Sequence, residues 1–105
     1  MTTDQVGDVL TALADPTRRL LLDVLADAGL ASATTLAARL PVSRQAVVKH
    51  LRVLETAGLV GGVRAGREVR YSVRPDPLDA TARWLAERSA TWDRRLAALK
   101  RAAET

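Results

Sequence analysis

The chain has 105 residues, enough for one domain with one extended arm; 48% are hydrophobic but only 3% aromatic, so the core must be built mainly of Leu, Val and Ala. There is no cysteine, which excludes disulfides, thiol catalysis and thiolate metal sites, and no apolar run approaches the roughly 18 to 20 residues of a membrane span. The net charge of +4 is uneven: from Ser43 to Arg74 seven bases stand against Glu55 and Glu68, a local +5 that leaves −1 for the rest. Cationic charge gathered in one third of a chain is the footprint of a polyanion partner, with a plain solvated surface as the alternative. The start, Met-Thr-Thr-Asp, lacks a basic region followed by an apolar one, so no secretory signal is read and a cytoplasmic location is expected.

Thr2 to Ala14 reads as a first helix. Thr2 with Gln5 fits a capping box, and Val6, Val9, Leu10 and Leu13 recur at i, i+3, i+4 and i+7, so one face is buried on its own domain or on a partner subunit. Asp15 then caps a second helix with Pro16 at its first position. This helix runs to about Ala28, with Leu21, Val24, Leu25 and Ala28 inward and Gly29 as its C-cap. Arg18 and Arg19 sit in its first turn, which the helix dipole disfavours; they read as phosphate contacts or as a solvated face.

Ser32 or Thr34 opens a short third helix, with Leu36, Ala37 and Leu40 inward and Pro41 as its stop. Ser43 caps a fourth, which ends near Ala57-Gly58, and Val42 with Val47 stands at the staple positions. Val47, Leu51 and Leu54 form its core stripe, while Gln45, Val48, Lys49 and Arg52 share another face. Two short helices joined by a tight turn make a helix-turn-helix over about residues 32–57. A helix that anchors one face and offers polar residues from its N-terminal end suits the DNA major groove.

The period then changes from 3.6 to 2. Val69, Tyr71 and Val73 alternate with Arg70, Ser72 and Arg74, and Leu59, Val60 and Val63 make a weaker partner strand. With Ala65-Gly66-Arg67 as the loop, the pattern predicts a two-stranded hairpin, a wing over about residues 59–74, with Arg64 and Arg67 at its tip and Arg70 on its outer face. Ordinary protection of a strand edge by charge is the plainer reading of these arginines.

Asp76 as N-cap, Pro77 at the first position and Asp79 open a last helix over about residues 77–101. Leu78, Ala82, Leu85, Ser89, Trp92, Leu96 and Leu99 follow alternating spacings of four and three, a heptad seam too long to bury on so small a domain. The seam predicts a homodimer in which Val6, Leu10, Leu78, Leu85, Trp92, Leu96 and Leu99 meet a second subunit; the alternative is a monomer with the helix folded over its own core. Trp84 and Trp92 read either as packing residues or as the wall of a site for an unidentified small-molecule effector between the first and last helices. The expected fold is mainly α with a two-stranded β-hairpin: a single winged helix-turn-helix domain over residues 1–105, in the order four helices, two strands and one long helix.

Leu13-Ala14-Asp15-Pro16-Thr17-Arg18-Arg19, the run from Leu40-Pro41-Val42-Ser43 to Lys49-His50-Leu51, Ala57-Gly58-Leu59-Val60 and Gly66-Arg67-Glu68-Val69-Arg70-Tyr71 together resemble the ArsR/SmtB family of bacterial winged-helix repressors, over almost the whole chain. The resemblance implies a homodimer built on the first and last helices, recognition helices in successive major grooves of an inverted repeat, and wings on the flanking backbone. It is to the cysteine-free members: no Cys-x-Cys metal box stands in the third helix and no His in the last. A lone imidazole, His50, does not supply the three or four ligands of a zinc-type site, so neither a metal nor a cofactor is expected. On the family pattern His50 touches DNA or braces the recognition helix; on the residues alone it is a half-buried helix residue bonded to a carbonyl.

The chain thus reads as a sequence-specific dimeric repressor whose partner is double-stranded DNA. Arg44, Gln45, Val48 and Lys49 meet base edges: arginine forks onto guanine, glutamine onto adenine, and Val48 touches a thymine methyl. Ser43, His50, Arg52, Arg64, Arg67 and Arg70 hold the phosphate backbone. The alternative is a winged-helix protein-interaction module whose basic face meets an acidic partner. An enzyme is not expected, because no nucleophile–base pair, Gly-rich phosphate loop or carboxylate pair at useful spacing is present.

Overall fold

Capping side chains fix where the central helices begin. The computed structural model describes residues 3–104, with side chains from residue 5, so the expected role of Thr2 lies outside the described residues. Helix α1 spans Thr3–Leu13 and α2 spans Pro16–Ala28. Asp15 is extended (φ −91°, ψ 124°), and its Oδ1 accepts the N–H groups of Thr17 at 2.8 Å and Arg18 at 3.1 Å, so the chain turns into α2 with Pro16 first, as expected. Gly29 ends α2 at φ +79° and donates its N–H to the Leu25 carbonyl at 2.8 Å, a conformation open to glycine and strained for other residues.

The short strand β1 (Ala31–Ser32) leads into α3 (Ala33–Ala37), which stops before Leu40 and Pro41; a turn, not the proline, ends it. Helix α4 spans Arg44–Thr56. Val47, Leu51 and Leu54 of α4 are buried with Leu21 and Leu25 of α2, Leu36 of α3 and Leu59 beyond α4, so the core sits among α2, α3 and α4. In α2 the inward stripe includes Leu22, while Ala28 is exposed.

Strands β2 (Val60–Ala65) and β3 (Glu68–Val73) pair antiparallel from Val60 opposite Val73 to Ala65 opposite Glu68, leaving Gly66 and Arg67 as the loop. Gly66 has φ +64°, the sense such a tight hairpin loop requires. The wing is not a free hairpin. Strand β1 pairs with β3, Ala31 opposite Tyr71 and Ser32 opposite Arg70, giving a three-stranded sheet in the order β1-β3-β2. Two residues are too few to show alternation, so this strand exists by tertiary pairing. In β2 a Cβ on Gly62 would lie 2.8 Å from Val69 Cγ1, so bare backbone lets β3 close on β2 there.

Helix α5 (Asp76–Glu104) has 29 residues and is about 43 Å long at the usual rise per residue. A bond from the Asp79 N–H to the Pro75 carbonyl at 3.0 Å starts the helix one residue earlier than expected, so Asp76, expected as the cap, is its first residue and Pro77 its second. Helix α5 packs on α1, but Thr81 is its one buried residue among those described, and the molecule measures 69 × 27 × 21 Å. On α1, Val6, Val9 and Ala12 face inward, whereas Leu10, expected to meet a second subunit, is 40% exposed.

Asp15 couples the fold to pH. The Arg18 backbone N–H holds its carboxyl below the usual 3.8; the Thr17 N–H, the Arg18 guanidinium and the charge of His50 act the same way, against some desolvation. A lowered folded-state value means stabilisation that is present above the unfolded value and lost as pH falls through the folded one. In thermal melts from neutral pH to below about pH 4, Asp15→Asn, which keeps an acceptor at the cap, is expected to show a flatter acid limb than the parent. Parallel acid limbs would contradict this role.

Candidate nucleic-acid interface

Ser43 is extended (φ −69°, ψ 160°), and its Oγ accepts the Ala46 N–H at 3.1 Å, which starts α4 at Arg44. Burial of Val47, Leu51 and Leu54 turns Arg44, Gln45, Lys49 and Arg52 to solvent. These four line one open groove with Ser43, Ala46 and Val48. Val48 is half-buried and packed against the core, so it forms the floor while the longer side chains form the rim.

A second recess joins this face to the wing: Thr34, Arg44 and Val48 line it on one side and Arg67, Glu68 and Tyr71 on the other. Ser32 fixes the spacing. It pairs with Arg70 in the sheet, and its Oγ accepts the Thr35 N–H at 3.2 Å to cap α3. Ser32 therefore belongs to the sheet and the helix-turn-helix at once and, with Val60, Tyr71 and Val73 packed in or on the core, holds the wing beside α4.

Arg64 and Arg67 are exposed at the wing tip, and Arg70, about half exposed, lies 3.6 Å from Glu68 Oε2. That exposed pair contributes little to stability and tethers one wing cation. His50 is half-buried, near enough to Asp15 for its charge to lower that carboxyl, and it does not line the α4 groove.

Arg18 and Arg19 are not free for phosphate. Arg18 Nε donates to the Ala12 carbonyl at 2.7 Å and Nη2 to that of Thr11 at 3.2 Å, while Arg19 Nη1 donates to Leu13 at 2.6 Å. They bond the carbonyls at the end of α1, where that of Thr11 also accepts the Ala14 N–H, and clamp α1 to α2. Their positive charge at a helix C-terminus is favourable, which the sequence reading missed by weighing them only against their own helix. Sequence reasoning also missed Thr34, whose Oγ1 accepts the Arg44 Nε–H at 3.0 Å; a contact ten residues apart leaves no periodic signal.

Of the seam, Leu78 is half-buried against the core, but Leu85, Trp92, Leu96 and Leu99 are exposed, Leu99 to 67%. Val6, expected at a subunit interface, is only 3% exposed and is spent on the core of its own chain. Arg88 stacks 4.1 Å from the Trp84 ring and Arg95 5.4 Å from that of Trp92, so both indoles carry cation–π partners. Among the described residues no group of three or more His, Cys, Asp or Glu comes together, and no helix is long and apolar enough to cross a membrane.

A polar helix seated on a three-helix core beside a basic antiparallel wing defines a winged helix-turn-helix nucleic-acid-binding module. A family model described as a helix-turn-helix domain matches residues 13–63. The transcriptional regulator Rv2034 of Mycobacterium tuberculosis is 49% identical over 69 residues, 66% of this chain and 64% of that protein. The chain thus spans under two thirds of this curated relative. The transcriptional repressor SdpR of Bacillus subtilis is 30% identical over 76% of this chain and 88% of its own. Among solved structures, an ArsR-like transcriptional regulator from Rhodococcus sp. RHA1 superposes with a TM-score of 0.85 at 48% identity, covering 93% of this chain and 92% of that one. The homodimeric winged helix-turn-helix DNA-binding domain of Mb0332 from Mycobacterium bovis does so at 0.67 and 29%, over 84% and 80%. The chain belongs to the ArsR/SmtB family of winged helix-turn-helix transcriptional regulators.

The cap that aims this helix is open to test. Ser43→Ala is expected to lower stability by about 1 kcal/mol, and Ser43→Asn to restore most of it, in urea denaturation.

Proposed function

We propose that this chain is a homodimeric repressor that binds an inverted repeat in double-stranded DNA without a metal effector. The observation that carries the reading is that Arg44, Gln45, Lys49 and Arg52 line one open groove along α4 and that Arg44 also shares a recess with Arg67 of the wing, whose tip exposes Arg64. In this reading Arg44, Gln45, Val48 and Lys49 meet base edges, Arg44 forking onto guanine and Gln45 onto adenine. Ser43, Arg52, Arg64, Arg67 and Arg70 hold phosphates and set the register. His50 braces α4 through its proximity to Asp15. The helix-turn-helix occupies about residues 32–57, the wing 59–74, and the dimerisation helix 77–101. Such a role belongs with the chromosome, in the cytoplasm.

Exposed Leu10, Leu85, Trp92, Leu96 and Leu99 support the dimer, as does the homodimeric state named for the Mb0332 domain. A second copy would remove this apolar surface from water. Repression is supported by the similarity to SdpR, named a transcriptional repressor. An effector site beside Trp92 would be polar, since Glu87, Arg88, Thr91 and Arg95 line that recess. A more apolar recess lies elsewhere, where Leu13, Leu22, Ala26, Val73 and Leu78 meet Arg19 and Asp23.

Fluorescence anisotropy on DNA from the chain's own promoter, against random DNA of equal length, at two salt concentrations and with EDTA, tests the reading. Selective binding untouched by the chelator supports it; equal weak binding to both DNAs would favour an acidic protein partner. Arg44→Ala is expected to lower specific affinity by about 1 to 3 kcal/mol and relax one base position, whereas Arg67→Ala weakens specific and random binding alike and flattens the salt slope by about one. For the dimer, Leu96→Asp is expected to give monomers in light scattering at micromolar concentration while leaving the helical content intact.

A further inference from the structure

Thr34 is exposed on α3, and its Oγ1 accepts the Nε–H of Arg44 at 3.0 Å. We propose that Thr34 is a positioning residue for base selection, holding the Arg44 guanidinium so that only its two terminal nitrogens face a base. The proposal rests on the DNA-reading role of α4.

The chemistry is a choice between two approaches. A guanidinium meets guanine O6 and N7 side-on, through Nε and one Nη, or end-on, through both Nη groups. With Nε taken by Thr34, only the end-on fork remains. The anchor itself is firm. Ala33 and Leu36 beside it are buried, and the Ser32 cap holds the first turn of α3. Neighbouring hydroxyls are otherwise engaged: Ser32 Oγ donates to Thr35 Oγ1 at 3.1 Å, and Ser43 Oγ takes the Ala46 N–H. Glu68 lines the same recess but pairs with Arg70, and among the described residues Arg44 makes no ion pair within 4.0 Å. A neutral acceptor therefore orients Arg44 without neutralising its charge.

The test is a base-substitution series across one half-site, measured by competition anisotropy with the parent, Thr34→Val, Thr34→Ala, Thr34→Ser, Arg44→Ala and the Thr34→Val/Arg44→Ala double variant, each first shown by circular dichroism to be folded. Thr34→Val and Thr34→Ala are expected to cut discrimination at the Arg44 position by roughly 3- to 10-fold. Random-DNA binding and the salt slope stay unchanged, because charge is retained. Thr34→Ser keeps the parent's discrimination, and the double variant is no worse than Arg44→Ala alone. Parental discrimination in both Thr34→Val and Thr34→Ala, equal losses on all DNAs, or losses that add to those of Arg44→Ala overturn the proposal. Should Arg44→Ala itself leave every base preference intact, the DNA-reading role falls with it. A change in Arg44→Ala without one in either Thr34→Val or Thr34→Ala removes the positioning role alone.

Discussion

Everything the basic face does depends on the burial of one stripe, Val47, Leu51 and Leu54, against Leu21, Leu25 and Leu36. A helix of 13 residues is marginal by itself in water. Each fully buried aliphatic side chain contributes about 1.5 to 3 kcal/mol, so the stripe both stabilises α4 and sets its rotation about its axis. Once that rotation is set, Arg44, Gln45, Lys49 and Arg52 have no direction left but outward. Affinity for a polyanion is thus presented by a packing decision made on the opposite side of the helix.

Short polar contacts then transmit that placement to the rest of the molecule. Ser32 is both a strand residue opposite Arg70 and the cap of α3, so, with Val60 in the core and Tyr71 and Val73 packed against it, the wing is registered against the helix-turn-helix. At the other end, Arg18 and Arg19 close the carbonyl terminus of α1, while Asp15 caps α2 and lies near His50 of α4. These contacts among α1, α2 and α4 are charged or hydrogen-bonded, which gives direction where the apolar core that also joins the three helices gives only adhesion.

Helix α5 is the element that the single chain does not satisfy. Its first turns lie on α1, but Leu85, Trp92, Leu96 and Leu99 extend along a molecule 69 Å in its longest dimension with nothing beneath them. Arginines stacked on both tryptophans keep that surface amphipathic, each guanidinium covering an aromatic face while remaining hydrated. A heptad seam left open in this way is the physical demand for a second copy.

Much of this was legible in the residues. Asp15-Pro16, Gly29, Ser43 and Gly66 mark their boundaries by local chemistry, and the stripe of α4, the alternation of β3 and the seam of α5 are periodic, so each could be read without knowing its neighbours. The exposed cations of α4 were legible for the same reason, as the complement of a buried stripe. Tertiary structure alone decided the rest. β1 has two residues and exists because β3 passes beside it; Val6 is buried and Leu10 exposed because α5 covers one side of α1. Arg18 and Arg19 became clamps because the end of α1 lies over the start of α2, and Thr34 meets Arg44 because the turn folds α3 back across α4. Sequence determines what repeats locally, since a period acts through adjacent turns of backbone; which polar groups meet across ten residues is set by the packing that brings their elements together.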